Sequence, residues 1–345
     1  MWRWVLPVAV LVAVLFGFMA SRNGPTQHAG AHATPTQTIP PTTAAPTVAP
    51  TCGSKQGQPV KVRHVVWIWM GTQGYRHIVG KLRVAPYMNQ LVEACGLATR
   101  YTAITHPAIA NDVAALTGAT QGMVHNSCDT ACTTTARSLL SQVPSWRAFI
   151  GGMPGACRKL AAAGANYSRL SNPPTYVTPP GCTRYDLPLG TPKQGPLQRA
   201  IARNALPAFT LIAPDGCTDS GFDKHCGGKL KRAAFLARAD LWLQGWIGAL
   251  TSSPAYKSGS TVVFVTWNQG APAKPLRIDC TSGPARGSCQ VPLIVVSPHV
   301  RPGSGTAARL SHYSLLGATE TLLGVPRLGN AAGPSGQALL RAFGL

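Results

Sequence analysis

The chain has 345 residues and carries 31 Lys or Arg against 10 Asp or Glu, a formal net charge of +21. Hydrophobic residues make up 45% and charged residues 12%, which excludes an acidic disordered protein and a helical array laced with ion pairs. Glu occurs only at Glu93 and Glu320, so a protein rich in the carboxylate cages that hard metal ions require is excluded as well.

Residues 4–20 (WVLPVAVLVAVLFGFMA) form an apolar run between Arg3 and Arg22. Its length is at the lower limit for crossing a bilayer, so residues 1–22 read as a signal anchor or a signal peptide. Either places the rest of the chain outside the cytoplasm. Residues 23–51 hold six Pro and eight Thr and no Lys, Arg, Asp or Glu. Such a composition cannot bury a core and stays extended, so 23–58 is expected to be a stalk before a domain over 59–345. Ten Cys come after the stalk's Pro/Thr-rich part, an even number that suits disulfides in an oxidising compartment. Sequence proximity pairs Cys128 with Cys132, Cys217 with Cys226, and Cys280 with Cys289. It leaves Cys52, Cys95, Cys157 and Cys182 open. No C-x-x-C spacing supports a thiolate zinc site.

In chain order, Val62–Met70 is β-branched and aromatic almost throughout, as in a strand covered on both faces. Ala85-Pro86 opens a helix through Glu93, stopped at Gly96. Leu97–Ile104 reads as a strand and Asn111–Leu116 as a short helix. The region of about 126–205 is irregular in pattern and reads as an insertion. Leu206–Ala213 is a strand. Lys229–Leu250 is an amphipathic helix with Phe235, Leu236, Leu243 and Ile247 inward. Thr261–Trp267 and Val291–Ser297 are buried strands. His312–Leu323 is a closing helix with Gly324 as its stop. This alternation predicts an α/β fold with a mostly parallel central sheet and helices on both faces.

Sites in open parallel sheets form at the carboxyl ends of strands. Four such ends are Met70-Gly71-Thr72-Gln73-Gly74-Tyr75, Thr105-His106-Pro107-Ala108-Ile109-Ala110-Asn111, Ala213-Pro214-Asp215 and Trp267-Asn268-Gln269-Gly270. Val291-Pro292 through Ser297-Pro298 and His312-Tyr313-Ser314-Leu315-Leu316 come later in the chain, with Ala85-Pro86-Tyr87-Met88-Asn89 and Asp240-Leu241-Trp242-Leu243 between the strand ends. This ordered set resembles the phosphoesterase family of the alkaline phosphatase superfamily, which includes bacterial acid phosphatases and phospholipases C.

The resemblance implies metal-assisted hydrolysis of a phosphate ester. A Ser or Thr attacks phosphorus, while carboxylates and His hold the cation that neutralises the phosphoryl oxygens. This chain keeps Tyr75, His106, Asn111 and His312. It places Gly71 and Thr72 where the family has Glu and Asn, and Gln73 where it has His. Asn268 and Gln269 stand where the family has Asp and Glu, and Ala108 stands at the nucleophile position. A methyl group cannot attack phosphorus, and amides are poorer metal ligands than carboxylates. Any divalent metal therefore has to be held by Asp219, Asp223 and His225, in or beside the Cys217–Cys226 loop, with His312. His106 reads as a structural strand-end residue, and Asn111 as either an oxyanion contact or a helix cap.

The expectation is an exported hydrolase of phosphate esters with weak or lost turnover, membrane-anchored or secreted. Its partners would be phosphate-containing small molecules, lipids or envelope polymers. The alternative is a non-catalytic, strongly basic envelope protein that binds anionic polymers or lipid headgroups. No nucleic-acid-binding signature is present, and export makes a specific nucleic-acid partner unexpected.

Overall fold

A computed structural model describes residues 52–59, 61–126, 132–160, 166–219, 232–270, 278–281 and 287–345. The apolar run at 4–20 and residues 23–51 lie outside them. Among the described residues, no helix is long and apolar enough to cross a membrane.

The chain begins with β1 (His64–Thr72), α1 (Pro86–Ala94), β2 (Gly96–Ala98), β3 (Tyr101–Thr102) and α2 (Ala108–Thr117). Next come α3 (Leu139–Gln142), β4 (Trp146–Ile150), α4 (Cys182–Tyr185), β5 (Asp186–Pro188), α5 (Pro196–Ala202) and β6 (Phe209–Ala213). The last part holds α6 (Arg232–Thr251), α7 (Pro254–Lys257), β7 (Thr261–Gln269), β8 (Leu293–Val296), β9 (Ser304–Thr306), β10 (Leu310–Ser311), α8 (His312–Leu323) and α9 (Ser335–Phe343).

These strands build an eight-stranded sheet in the order β5-β4-β6-β1-β7-β8-β2-β9, beside a two-stranded sheet of β10 and β3. β1 pairs in parallel with both β6 and β7. β8 runs antiparallel to its two neighbours. Successive residues of a strand point to opposite faces. Val65 through Met70 are all buried, so both faces are covered at β1, and Trp67, Phe264 and Trp267 fill the layers around it. The inward residues expected for α6 are buried as well.

Three expectations are corrected. The region of about 126–205, expected to be an irregular insertion, supplies β4 and β5 to the sheet, and β4 pairs with β6 over Trp146 to Ile150. Its own parallel pattern is short and flanked by Gly and Pro, which hid it. The expected Leu97–Ile104 strand is divided into β2 and β3 by a turn at Thr99 and Arg100. The folded part also starts earlier than residue 59. Cys52 is joined to Cys95 with Cα atoms 5.3 Å apart, the Lys55 amide donates to the Pro298 carbonyl, and His299 Nδ1 lies 2.8 Å from the Gly57 carbonyl.

Cys157–Cys182 and Cys280–Cys289 are the other pairs among the described residues. The first resolves half of what sequence proximity left open, and Cys52–Cys95 the other half. Cys132 and Cys217 are also disulfide-bonded; their expected partners, Cys128 and Cys226, lie outside the described residues.

α8 and α9 approach so closely that a Cβ on Gly336 would come 2.7 Å from the Gly317 carbonyl carbon. This contact needs a glycine at the crossing. Gly324, with φ of 66°, ends α8 in the left-handed conformation that its sequence position predicts.

Candidate functional site

The carboxyl ends of β1 and β7 lie side by side, with Thr72 paired to Gln269. Gln269 Nε2 donates to Thr72 Oγ1 at 3.0 Å, and the Gln73 amide donates to the Gln269 carbonyl. This parallel register brings two of the predicted strand-end motifs together. Tyr75 begins the short turn beyond β1, its amide bonded to the Gln290 carbonyl. Burial raises its hydroxyl pKa.

Gly71 has a steric reason to be glycine. A Cβ there would meet Asp219 Oδ2 at 2.4 Å, and the Gly71 amide donates to the Asp219 carbonyl at 3.0 Å. The Asp219 carboxylate thus occupies the space that a side chain at position 71 would fill. Of the sequence-predicted ligands, Asp219 therefore reaches the strand ends. Asp223 and His225 lie outside the described residues.

His312 is fully buried at the first position of α8. Its Nε2 donates to the Asn268 carbonyl at 2.9 Å, which makes Nδ1 the acceptor for the Tyr101 hydroxyl at 2.8 Å. Both ring nitrogens are occupied, and burial lowers the imidazole pKa to about 4. The ring is neutral in this arrangement, with both nitrogens bonded within the fold.

Asn111 is also fully buried, with its side chain bonded to the backbone around it. Its Oδ1 accepts from the amides of Ile104 and Thr105 at 2.8 and 3.0 Å. Its Nδ2 donates to the carbonyls of Thr105 and Pro107. One amide side chain thus clamps the loop that carries His106, while Pro107 sits at the cap of α2. The His106–Pro107 bond is cis. His106 Nε2 donates to the Ser288 carbonyl at 2.9 Å, and burial lowers the imidazole pKa. Ala108 is buried as the first residue of α2.

Sequence reasoning missed Asp112. It lies one turn into α2, fully buried, and its Oδ1 accepts from Trp69 Nε1 at 2.7 Å. Its Oδ2 has no hydrogen-bond partner. Burial raises its pKa to about 8, with Trp69 and Asn268 offsetting part of the shift. The signal was available, because an acid beside Asn111 in a helix of otherwise small and apolar residues has to be buried.

Asn268 Oδ1 and Gln269 Oε1 are likewise buried without partners. The described centre therefore holds two amides, two imidazoles with lowered pKa, the Asp112 carboxyl raised to about 8 by burial, and the Asp219 carboxylate against Gly71. Among the described residues, this set offers fewer anionic oxygens than the several that a divalent cation requires. Among the described residues, two groups of three have ligand atoms within 4.8 Å: His106 with Cys280 and Cys289, and Cys157 with Cys182 and Asp186. Each contains a disulfide, which removes its thiolates.

The mostly parallel sheet thus places the candidate site at the carboxyl ends of β1 and β7. Residues 70–326 match the profile of the Phosphoesterase family, and the chain belongs to that family. It is 25% identical over 278 residues to the phosphatidylinositol-3-phosphatase of Mycobacterium tuberculosis, covering 78% of this chain and 79% of that protein. Among solved structures it resembles an alkaline phosphatase superfamily protein from Vibrio parahaemolyticus, with a TM-score of 0.52 and 12% identity over 83% of this chain and 72% of the other. It also resembles the lipoteichoic acid synthase LtaP from Listeria monocytogenes, with a TM-score of 0.51 and 12% identity over 81% and 75% of the two chains. These two likenesses establish the shared fold.

Proposed function

We propose that this is an exported Phosphoesterase-family protein that recognises phosphate esters and turns them over weakly or not at all. The observation that carries this reading is the replacement of the nucleophile and of the strand-end carboxylates by side chains that carry no charge. Ala108 stands at the nucleophile position, amides stand at Asn268 and Gln269, and both nitrogens of His312 are engaged. Without bound cations, phosphate attraction falls to hydrogen bonds and to the field of a +21 chain. The 25% identical relative is named for a phosphorylated lipid. This supports phosphate-bearing lipid headgroups or envelope polymers as the ligand class, met outside the cytoplasm by an anchored or secreted domain.

The test is hydrolysis of p-nitrophenyl phosphate by the full chain with Mg²⁺, Mn²⁺, Ca²⁺ or Zn²⁺ added in turn, run beside sedimentation with vesicles containing phosphoinositides. Background rates with every metal, together with salt-sensitive vesicle binding, are expected. The position of Asp219 against Gly71 favours one rival reading, a rearranged working site with Asp219 as a ligand. Metal-dependent turnover that Asp219→Ala abolishes would establish that reading instead.

A further inference from the structure

Gly287 has the same kind of steric reason to be glycine as Gly71. A Cβ there would collide with Arg76 Nη2, so the Arg76 guanidinium occupies the space beside the Gly287 backbone. Gly287 precedes Ser288, whose carbonyl accepts from His106 Nε2. The same carbonyl packs on Gly270, where a Cβ would collide with it. Residues 287–290 therefore lie across the strand ends, with Ser288 against the end of β7 and the Gln290 carbonyl bonded to the Tyr75 amide beyond β1. Arg76 rests against the edge of this segment.

The turn Tyr75–His77 that carries Arg76 is also fastened to β1. His77 Nδ1 donates to Gln73 Oε1 at 2.7 Å, and the buried Gln73 bonds through its amide to the Gln269 carbonyl. The backbone at position 76 is thus held on both sides, while the Arg76 side chain is exposed. A guanidinium presents its N–H donors as a rigid fork that matches two oxygens of one phosphate group. The surroundings are positive. Burial lowers the His77 pKa first, and the charges of Arg232, Arg76 and Lys81 lower it further. Clustered cations of this kind raise the local concentration of anions. Position 76 lies just past the motif that ends at Tyr75, so the family resemblance gives it no role.

We propose that Arg76 binds the terminal phosphate of a phosphate monoester at the mouth of the strand-end centre, with Arg232 and Lys81 adding to the positive field, so that recognition there needs no divalent cation. The proposal rests on the reading of that centre as a phosphate-ester site and adds the residue that holds the phosphate.

The test is titration calorimetry on the full chain in EDTA with inorganic phosphate, glycerol 3-phosphate and dihexanoyl phosphatidic acid. The last two separate a soluble ester from a lipid headgroup, and binding of either supports the proposal provided that it depends on Arg76. Arg76→Ala is expected to weaken binding at least about tenfold, and Arg76→Lys, which keeps the charge and loses the fork, should fall between the two. Arg203→Ala is expected to bind like the parent, because the exposed Arg203 ends α5 ahead of β6, at the amino end of that parallel strand. Since Arg76 is exposed, circular-dichroism melting of Arg76→Ala should superimpose on that of the parent. Unchanged affinity in Arg76→Ala, or an equal loss in Arg203→Ala, overturns the proposal. Binding that appears only when Mg²⁺ or Mn²⁺ replaces EDTA overturns it and leaves the phosphate-ester reading standing. No binding with or without metal overturns both.

Discussion

Asp112→Asn tests the burial argument in solution. The carboxyl is fully buried and its pKa is raised from 3.8 to about 8. An acid whose folded pKa exceeds its unfolded value binds more protons in the folded state between those two values. Stability is therefore lost as pH rises through that window. At 1.36 kcal/mol per unit, ionising Asp112 costs the folded state roughly 3 to 4 kcal/mol between pH 5 and pH 8. Burial also raises Asp186 and Glu320 to about 7, and they act in the same direction. The lowered pKa of His312 acts in the opposite direction below pH 6.5. The absolute profile is therefore a composite, and the difference between variant and parent isolates Asp112. Asparagine keeps the oxygen that accepts from Trp69 Nε1 and removes the titration. Urea denaturation with disulfides intact, at pH 5 and pH 8, should show Asp112→Asn gaining roughly 3 to 4 kcal/mol on the parent between the two pH values. Parallel profiles would refute the burial argument and leave Asp112 ionised at neutral pH, with a charge available to the site.

Further substitutions probe the scaffold. Asp240 accepts from the amides of Tyr87 and Met88 at 3.0 and 2.8 Å, capping α1 from another helix. Asp240→Ala should cost about 2 to 4 kcal/mol in denaturant midpoint analysis, and Asp240→Asn clearly less. The Cys52–Cys95 bridge closes a loop of 43 residues, so the Cys52→Ser, Cys95→Ser double variant should lose about 4 kcal/mol on the chain-entropy relation, read by thermal unfolding. Gly336→Ala forces a methyl group against the backbone of α8 and should lower stability by about 1 to 3 kcal/mol or more, whereas Gly344→Ala, whose Cβ would meet no neighbour within 4 Å, carries only its positive-φ strain.

The parts of the fold written as local patterns were legible. The buried run that became β1, Pro at the start of α1, and Gly324 at the end of α8 each act within a few residues. β4 and β5 were not, because they are short, half-enclosed by loops, and defined by pairing with β6 rather than by their own periodicity. The strand-end motifs located the candidate centre, but the duties within it are set by distant contacts. Asn111 binds the loop before it through the amides of Ile104 and Thr105. His312 is held by Tyr101, 211 positions earlier. Gly71 is explained by Asp219, which no spacing rule connects to it.

The scarcity of acids makes this division of labour unusually readable. Of the ten acids, Asp112, Asp186, Asp240 and Glu320 are buried and hydrogen-bonded within the fold. Asp215 holds a turn through the Cys217 amide and Thr218 hydroxyl, and Asp279 holds another through Thr281. Glu93 is exposed on α1. Asp129 and Asp223 lie outside the described residues. Asp219 sets its carboxylate against Gly71 at the end of β1, while the carboxyl of Asp112 is taken by Trp69 of the same strand. A cation bound there would draw on one carboxylate where the resembling family uses several, inside a chain of strongly positive field. The field of a +21 chain thus works against a cation at the strand ends.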